Sequence, residues 1–150
     1  MRFIFLFVVS ALFIFLFSPS ISHKEIPGPP KPKKPLAMMA VTASAYYAPL
    51  ENQENYTLGS HKEDEKLNGN GITYMGEKAV KGIIAADPSV FPLGTVLWIP
   101  HHGYARVADI GGAIKGSRID IFMGEGEKAL EEALNWGIRK TTIYVVKWGK

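Results

Sequence analysis

The chain has no cysteine. That excludes a disulfide framework, thiol catalysis and thiolate metal sites, so a hydrophobic core must hold the fold. It also has little charge to offer a nucleic acid. The formal net charge is +3, but five basic residues and only one acid, Glu25, fall within residues 1–35. Subtracting them from the totals of 17 and 14 leaves 12 Lys and Arg against 13 Asp and Glu from Leu36 onward. A near-neutral domain gives no basic patch of the kind nucleic acids require. No phosphate-binding glycine loop and no G-x-S-x-G elbow is present. His101 and His102 are adjacent on a turn and make a poor chelate, and the run His61 to Glu65 has no recognised ligand spacing. Neither a metal nor a cofactor is expected.

What is present begins with a run of Phe, Leu, Ile and Val. Arg2 precedes it, and Ser20-Ile21-Ser22 places small residues where a signal peptidase would cut. Residues 1–22 read as a secretory signal or an N-terminal membrane anchor, and both send the remainder out of the cytoplasm. Residues 23–35, HKEIPGPPKPKKP, hold five of the ten prolines and read as a semi-stiff linker. Membrane contact is expected only through this N-terminal part.

Residues 36–150 read as one domain. AVTASAYYA, residues 40–48, is rich in β-branched and aromatic side chains and predicts a strand. Residues 49–81 are polar and glycine-bearing and predict a long surface loop, with a short strand near Ile72–Tyr74. Short strands follow at Gly82–Ala86, Thr95–Ile99, Tyr104–Ala108, Arg118–Phe122 and Thr141–Lys147. Ala129, Leu130, Ala133 and Leu134 recur at helical spacing over Glu127–Trp136, and Gly137 supplies a stop. The class is mainly β: six strands and one short helix, which a closed barrel accommodates without exposed edges.

Residues 84–100 align over 106–122 at an offset of 22, matching Ala86 to Ala108, Asp87 to Asp109, Gly94 to Gly116 and Ile99 to Ile121. The alignment suggests a duplication in which Asp87 and Asp109 are equivalent loop anchors, each accepting N–H groups at a turn. Asp120 falls on Trp98 and breaks the match. In a strand, Ile119 and Ile121 share the core face, and Arg118, Asp120 and Phe122 share the other. The simplest reading of Asp120 beside Arg118 is a surface ion pair worth ~0–1 kcal/mol; the other is chemistry in a groove.

The combination A-x-D-P…P-L-G-T with D-x-G-G-A-I-K-G-x-R-x-D resembles the 3D domain, a bacterial cell-wall family named for three aspartates. It is also similar to the C-terminal part of the membrane-bound lytic transglycosylase A family. The likeness covers about residues 41–148. It implies a double-psi β-barrel acting as a monomer on peptidoglycan glycan strands, cutting between N-acetylmuramic acid and N-acetylglucosamine with a 1,6-anhydro end. The R-x-D acid, here Asp120, is implied to be catalytic, with Asp109 of D-x-G-G beside it and Asp87 and Arg118 in support. Candidate glycan contacts are Tyr46, Gly111, Gly112, Lys115 and Gly124. Trp98, Tyr104 and Trp136 are read first as core aromatics, and Glu125 and Glu127 as acids favouring a helix N-terminus. In the transglycosylase family a second domain completes the groove; here the 49–81 loop is the candidate for the other wall. The alternative on the same barrel is a non-catalytic peptidoglycan-binding or wall-loosening module.

Overall fold

The computed structural model describes residues 30–150; the apolar segment 1–22 and residues 23–29 of the linker lie outside them. The elements in chain order are β1 (Ala37–Ala48), α1 (His61–Asn68), β2 (Ile83–Ala86), β3 (Val96–Ile99), β4 (Gly103–Asp109), β5 (Arg118–Glu125), α2 (Gly126–Trp136) and β6 (Arg139–Lys147). The strands close a barrel in the order β1-β5-β2-β4-β3-β6. β1 and β5 are parallel, as are β2 and β4, and the remaining neighbours are antiparallel.

That pairing list maps onto itself when β1, β2 and β3 are exchanged with β4, β5 and β6. It is the half-barrel symmetry of a double-psi β-barrel. The alignment at offset 22 does not follow it. That alignment laid β2 over β4 and β3 over β5, whereas the barrel relates β2 to β5 and β3 to β6. Asp87 and Asp109 do lie at the same rim, because β2 and β4 are parallel neighbours, with Ala85 opposite Asp109. The barrel's own symmetry does not relate them.

The core follows from strand alternation. Val41, Ala43 and Tyr47 of β1, Ile119 and Ile121 of β5, and Ile143 and Val145 of β6 are buried inside the barrel with Leu97, Ile99 and Val107. Side chains between them point outward. On β1 and β5 the outward set includes Tyr46, Ala48 and Phe122, which form a second buried cluster with Ala79 and Ala85. α2 packs Ala129 and Leu130 onto the main core and ends at Gly137, whose N–H returns to the Ala133 carbonyl. Its left-handed φ of 64° suits glycine.

Residues 49–81 are not a plain loop. They contain a second helix, α1, where one helix was expected in all. Its mean hydropathy is low, so apolar periodicity could not reveal it. The signal it does carry is a capping box: the Ser60 side chain accepts from the Glu63 N–H, and Ser60 Oγ lies 3.3 Å from Glu63 Oε2. The expected short strand reduces to a single bridge, Ile72 to Lys78.

Carboxylates fasten this insertion. Asp64 has no exposed surface. It accepts from the Tyr47 hydroxyl and from the N–H groups of Thr57 and Leu58, at 2.7 and 2.6 Å. Glu127 accepts from the N–H groups of Glu54 and Asn55 and from the Asn55 amide. Glu125 pairs with Lys78 at 3.1 Å. The two acids read as helix-dipole residues therefore serve mainly as ties to the insertion.

Burial pushes the Asp64 carboxyl up, but hydrogen bonds from Tyr47, Leu58 and Thr57 outweigh it and leave it below its ordinary value. A carboxyl lowered in the fold stabilises that fold above its unfolded pKa, about 3.9, and ceases to as pH falls through the folded value. The insertion should therefore loosen on acidification below about pH 4. Hydrogen exchange at the Thr57 and Leu58 amides should lose protection there while the β1 and β5 core amides keep theirs. Asp64→Ala should have the same local effect at neutral pH and cost roughly 1–3 kcal/mol, since it strands buried donors.

Candidate functional site

Closure of the barrel places β5 between β1 and β2, and β2 between β5 and β4. Cα partners then run from Ser44 to Asp120, from Asp120 to Ala85, and from Ala85 to Asp109. Four strands thus contribute one residue each to a single row. Ile119 and Ile121 face inward with no exposure, so the row lies on the outer face. With strands about 4.8 Å apart, the Cα atoms of Asp109 and Asp120 stand about 10 Å from each other. Ala85 is the residue between them. Tyr46 lies two residues beyond Ser44 on β1, yet its hydroxyl donates to Asp109 Oδ2 on β4 at 3.1 Å. The ring reaches there only by crossing β5 and β2, and the small methyl of Ala85 gives it room.

Asp109 accepts two more hydrogen bonds, from the N–H groups of Tyr74 and Ile110, both at 2.9 Å. Tyr74 belongs to the insertion, whose Met75 N–H also meets the Ala108 carbonyl at 3.3 Å. The insertion therefore forms a wall beside Asp109. Tyr46 is 9% exposed and packs tilted against Phe122, with ring centroids 5.2 Å apart. It was expected to contact glycan, but its ring is buried. Its hydroxyl is taken up by Asp109. Burial, then the charge and hydrogen bond of Asp109, push the Tyr46 phenol above its ordinary value, so it stays a donor.

Asp120 is held differently. It is half-buried, and among the described residues its one hydrogen-bond donor is Ser44 Oγ at 2.8 Å from Oδ1. Burial pushes its carboxyl above the ordinary value; the Ser44 hydrogen bond and the Arg118 charge pull it down, and the Asp109 charge adds to the rise. Among the described residues, no ion pair within 4 Å joins Arg118 to Asp120; the ion pairs are Lys78–Glu125, Lys81–Glu132 and Arg106–Glu77. Arg118 is exposed. The surface ion pair that spacing suggested does not form.

Asp87 accepts from the Ser89 N–H and hydroxyl and from the Gly116 N–H at 2.8 Å. Hydrogen bonds from Gly116 and Ser89 pull its carboxyl down to about 2. It anchors the loop leading into β5. In that loop, a Cβ on Gly111 would stand 2.6 Å from Ile114 Cγ1, so this glycine makes a tight fold over a buried isoleucine. Gly112 and Lys115 are exposed on the same loop. Gly124 has φ +124°, and a Cβ there would meet Lys81 at 3.5 Å; its conformation is the requirement. Among the described residues, no three His, Asp or Glu side chains converge as metal ligands do.

Ser44, Ala85 and Tyr74 are the members that sequence reasoning missed. Each enters through a long-range strand pairing or a loop contact for which a single sequence carries no signal. Trp98 packs against Tyr144 at 5.4 Å. Tyr104 and Trp136 line a separate cleft that contains neither Asp109 nor Asp120.

Residues 82–147 match the 3D domain. The match spans β2 to β6, and so includes Asp87, Asp109 and Asp120. β1, with Ser44 and Tyr46, and the insertion lie outside it. The chain is 41% identical over 80 residues to the cell wall-binding protein YocH of Bacillus subtilis, covering 51% of this chain and 26% of that protein. It is 31% identical over 109 residues to YabE of the same organism, covering 73% of this chain and 23% of that protein. It thus spans about a quarter of the length of these curated relatives. The crystal structure of MltA from E. coli is 26% identical at a TM-score of 0.45, over 52% of this chain and 28% of that one.

The burial, hydrogen bond and charges at Asp120 set the sign of four measurements. Asp120 should titrate above the ordinary value of about 3.9 when followed by carbon-detected NMR. Asp109→Asn should lower that value, and Ser44→Ala should raise it. Because the buried ionised carboxyl opposes folding at neutral pH, Asp120→Asn should raise Tm at pH 7 and lose that advantage as pH falls.

Proposed function

We propose that the row on the outer face cleaves the glycan strands of peptidoglycan outside the cytoplasm, as a lytic transglycosylase. The observation that carries this reading is the state of Asp120: a half-buried carboxyl, raised by burial and by the Asp109 charge, and, among the described residues, in no ion pair with a guanidinium. The R-x-D resemblance assigns catalysis to the same residue, and a relative bears the name of a cell wall-binding protein.

One carboxyl suffices for the chemistry. Protonated Asp120 gives its proton to the oxygen linking C1 of N-acetylmuramic acid to N-acetylglucosamine, and the C1–O bond breaks. The 6-hydroxyl of the same muramic acid attacks C1 and returns its proton to Asp120. The ring closes as a 1,6-anhydro sugar, no water is consumed and the carboxyl is restored. At the free value of about 3.9, roughly 1 in 1,000 carboxyls carries a proton at pH 7, a handicap of ~4 kcal/mol. Every rise from burial reduces it. Asp109, fixed by three donors, places negative charge near the carbon that becomes cationic. Tyr46 and the Tyr74 backbone hold that charge in position. The insertion supplies the second wall that positions the strand.

The second reading, a peptidoglycan-binding module without turnover, is favoured by the name of YocH. The two separate cleanly in one experiment. Peptidoglycan is digested with wild type and with Asp120→Asn, and the soluble fraction is analysed by mass spectrometry. The enzyme reading expects 1,6-anhydromuropeptides from wild type and at least a ~100-fold loss in the variant, the usual scale for a missing acid–base group. Equal retention on insoluble peptidoglycan by both proteins, with no soluble product from either, would establish the binding module instead. The wild-type rate should also fall as pH rises above the Asp120 value, because the acid form is then depleted.

A further inference from the structure

A cleft of about 620 Å³ opens at the far end of β4 from Asp109. Tyr104 lines it, and five residues of strand, about 17 Å, separate that position from Asp109. Phe122 forms part of its wall while also packing against Tyr46. The cleft therefore continues the outer face that carries Asp120.

Its charged lining consists of Lys81, Arg139 and Glu132, with the imidazoles of His101 and His102 at the turn. Several donors remain free. Lys81 Nζ gives one hydrogen bond, to Glu132 at 2.5 Å, and an ammonium has three to give. Arg139 spends Nε and one terminal nitrogen on the Trp136 and Asn135 carbonyls at the end of α2, which leaves its other terminal nitrogen. Its guanidinium lies 4.1 Å over the Trp136 ring. The His102 ring meets Trp136 edge to face at 6.2 Å and has no hydrogen-bond partner among the described residues. Burial, then the Lys81 charge, pushes His102 below its ordinary value, so at neutral pH the ring offers one donor and one acceptor.

We infer that this cleft binds a short zwitterionic peptide, its carboxylate on Lys81, Arg139 and His102 and its amine on Glu132. The mixed lining decides the class. A polyanion would be repelled by Glu132, and a neutral sugar would leave Arg139, which among the described residues bonds only carbonyls, without an anion. The volume lies in the range of specific small-ligand sites. On the function proposed above, on which this inference rests, the ligand is the peptide side arm of the same polymer, which presents a diamino-acid amine and a terminal carboxylate. The cleft then reads whether the strand crossing Asp120 carries peptides.

The test follows the His102 ring by NMR in the purified protein. Four probes are added in turn: the free tetrapeptide L-Ala-D-iGlu-L-Lys-D-Ala, its C-terminal amide, peptide-free glycan strands and glycerol phosphate. The tetrapeptide should shift the His102 signals saturably and move the His102 titration upward, since a nearby carboxylate favours the imidazolium. Amidation, or Lys81→Glu in the exposed half of the site, should weaken binding about tenfold or more, as expected for a charge-assisted hydrogen bond. Equal shifts from glycan strands or glycerol phosphate, or no shift from any probe, overturn the inference. Anhydro product with a silent His102 rejects the cleft alone, whereas a His102 response without product rejects the proposed activity alone.

Discussion

Desolvation of one carboxyl on the outside of a barrel governs this molecule. The inner face of β5 is fixed by Ile119 and Ile121, which have no exposure. Alternation then forces Asp120 outward. Outward on most small barrels means into water. Here the neighbouring outward residues, Tyr46 and Phe122, are themselves buried with Ala79 of the insertion. The acid sits at the edge of an apolar cluster with Ser44 as its donor. Such a carboxyl is costly to ionise, and on the proposed function that cost suits it to carry a proton.

The two acids of the row are treated in opposite ways. Asp109 receives three donors and is held as an anchored charge. Asp120 receives one and is left adjustable. The insertion creates much of this difference. It brings the Tyr74 N–H to Asp109 and Ala79 to the outer cluster, and it is tied down by Asp64, Glu125 and Glu127. The wall of the site thus depends on acids that do not touch it.

Much of the barrel was legible in the sequence, because strand periodicity is a local property. All six strands appear within a few residues of the positions that alternation and turn residues suggest, and the inward direction of Ile119 and Ile121 follows from spacing alone. α1 was hidden because it lacks an apolar face; its stability comes from a cap and from Asp64, not from periodicity. The half-repeat misled because it laid β2 over β4 and β3 over β5, whereas the barrel's symmetry relates β2 to β5 and β3 to β6. Asp120 stood out as the residue that breaks the pattern. Its Ser44 partner, the Ala85 gap and the Tyr46 bridge to Asp109 depend on the order β1-β5-β2-β4, which no window of the sequence contains. Arg118 shows the same limit: spacing placed it beside Asp120, and the side chain lies in solvent instead.

The central claim is that the Asp120 carboxyl meets the bond being broken. A crystal structure of the Asp120→Asn protein with a bound peptidoglycan strand tests it most directly. The account predicts the residue-120 side chain within about 3.2 Å of the glycosidic oxygen, with the muramic acid 6-hydroxyl on the same side. A strand that binds with residue 120 more than one water's reach from that oxygen would contradict it.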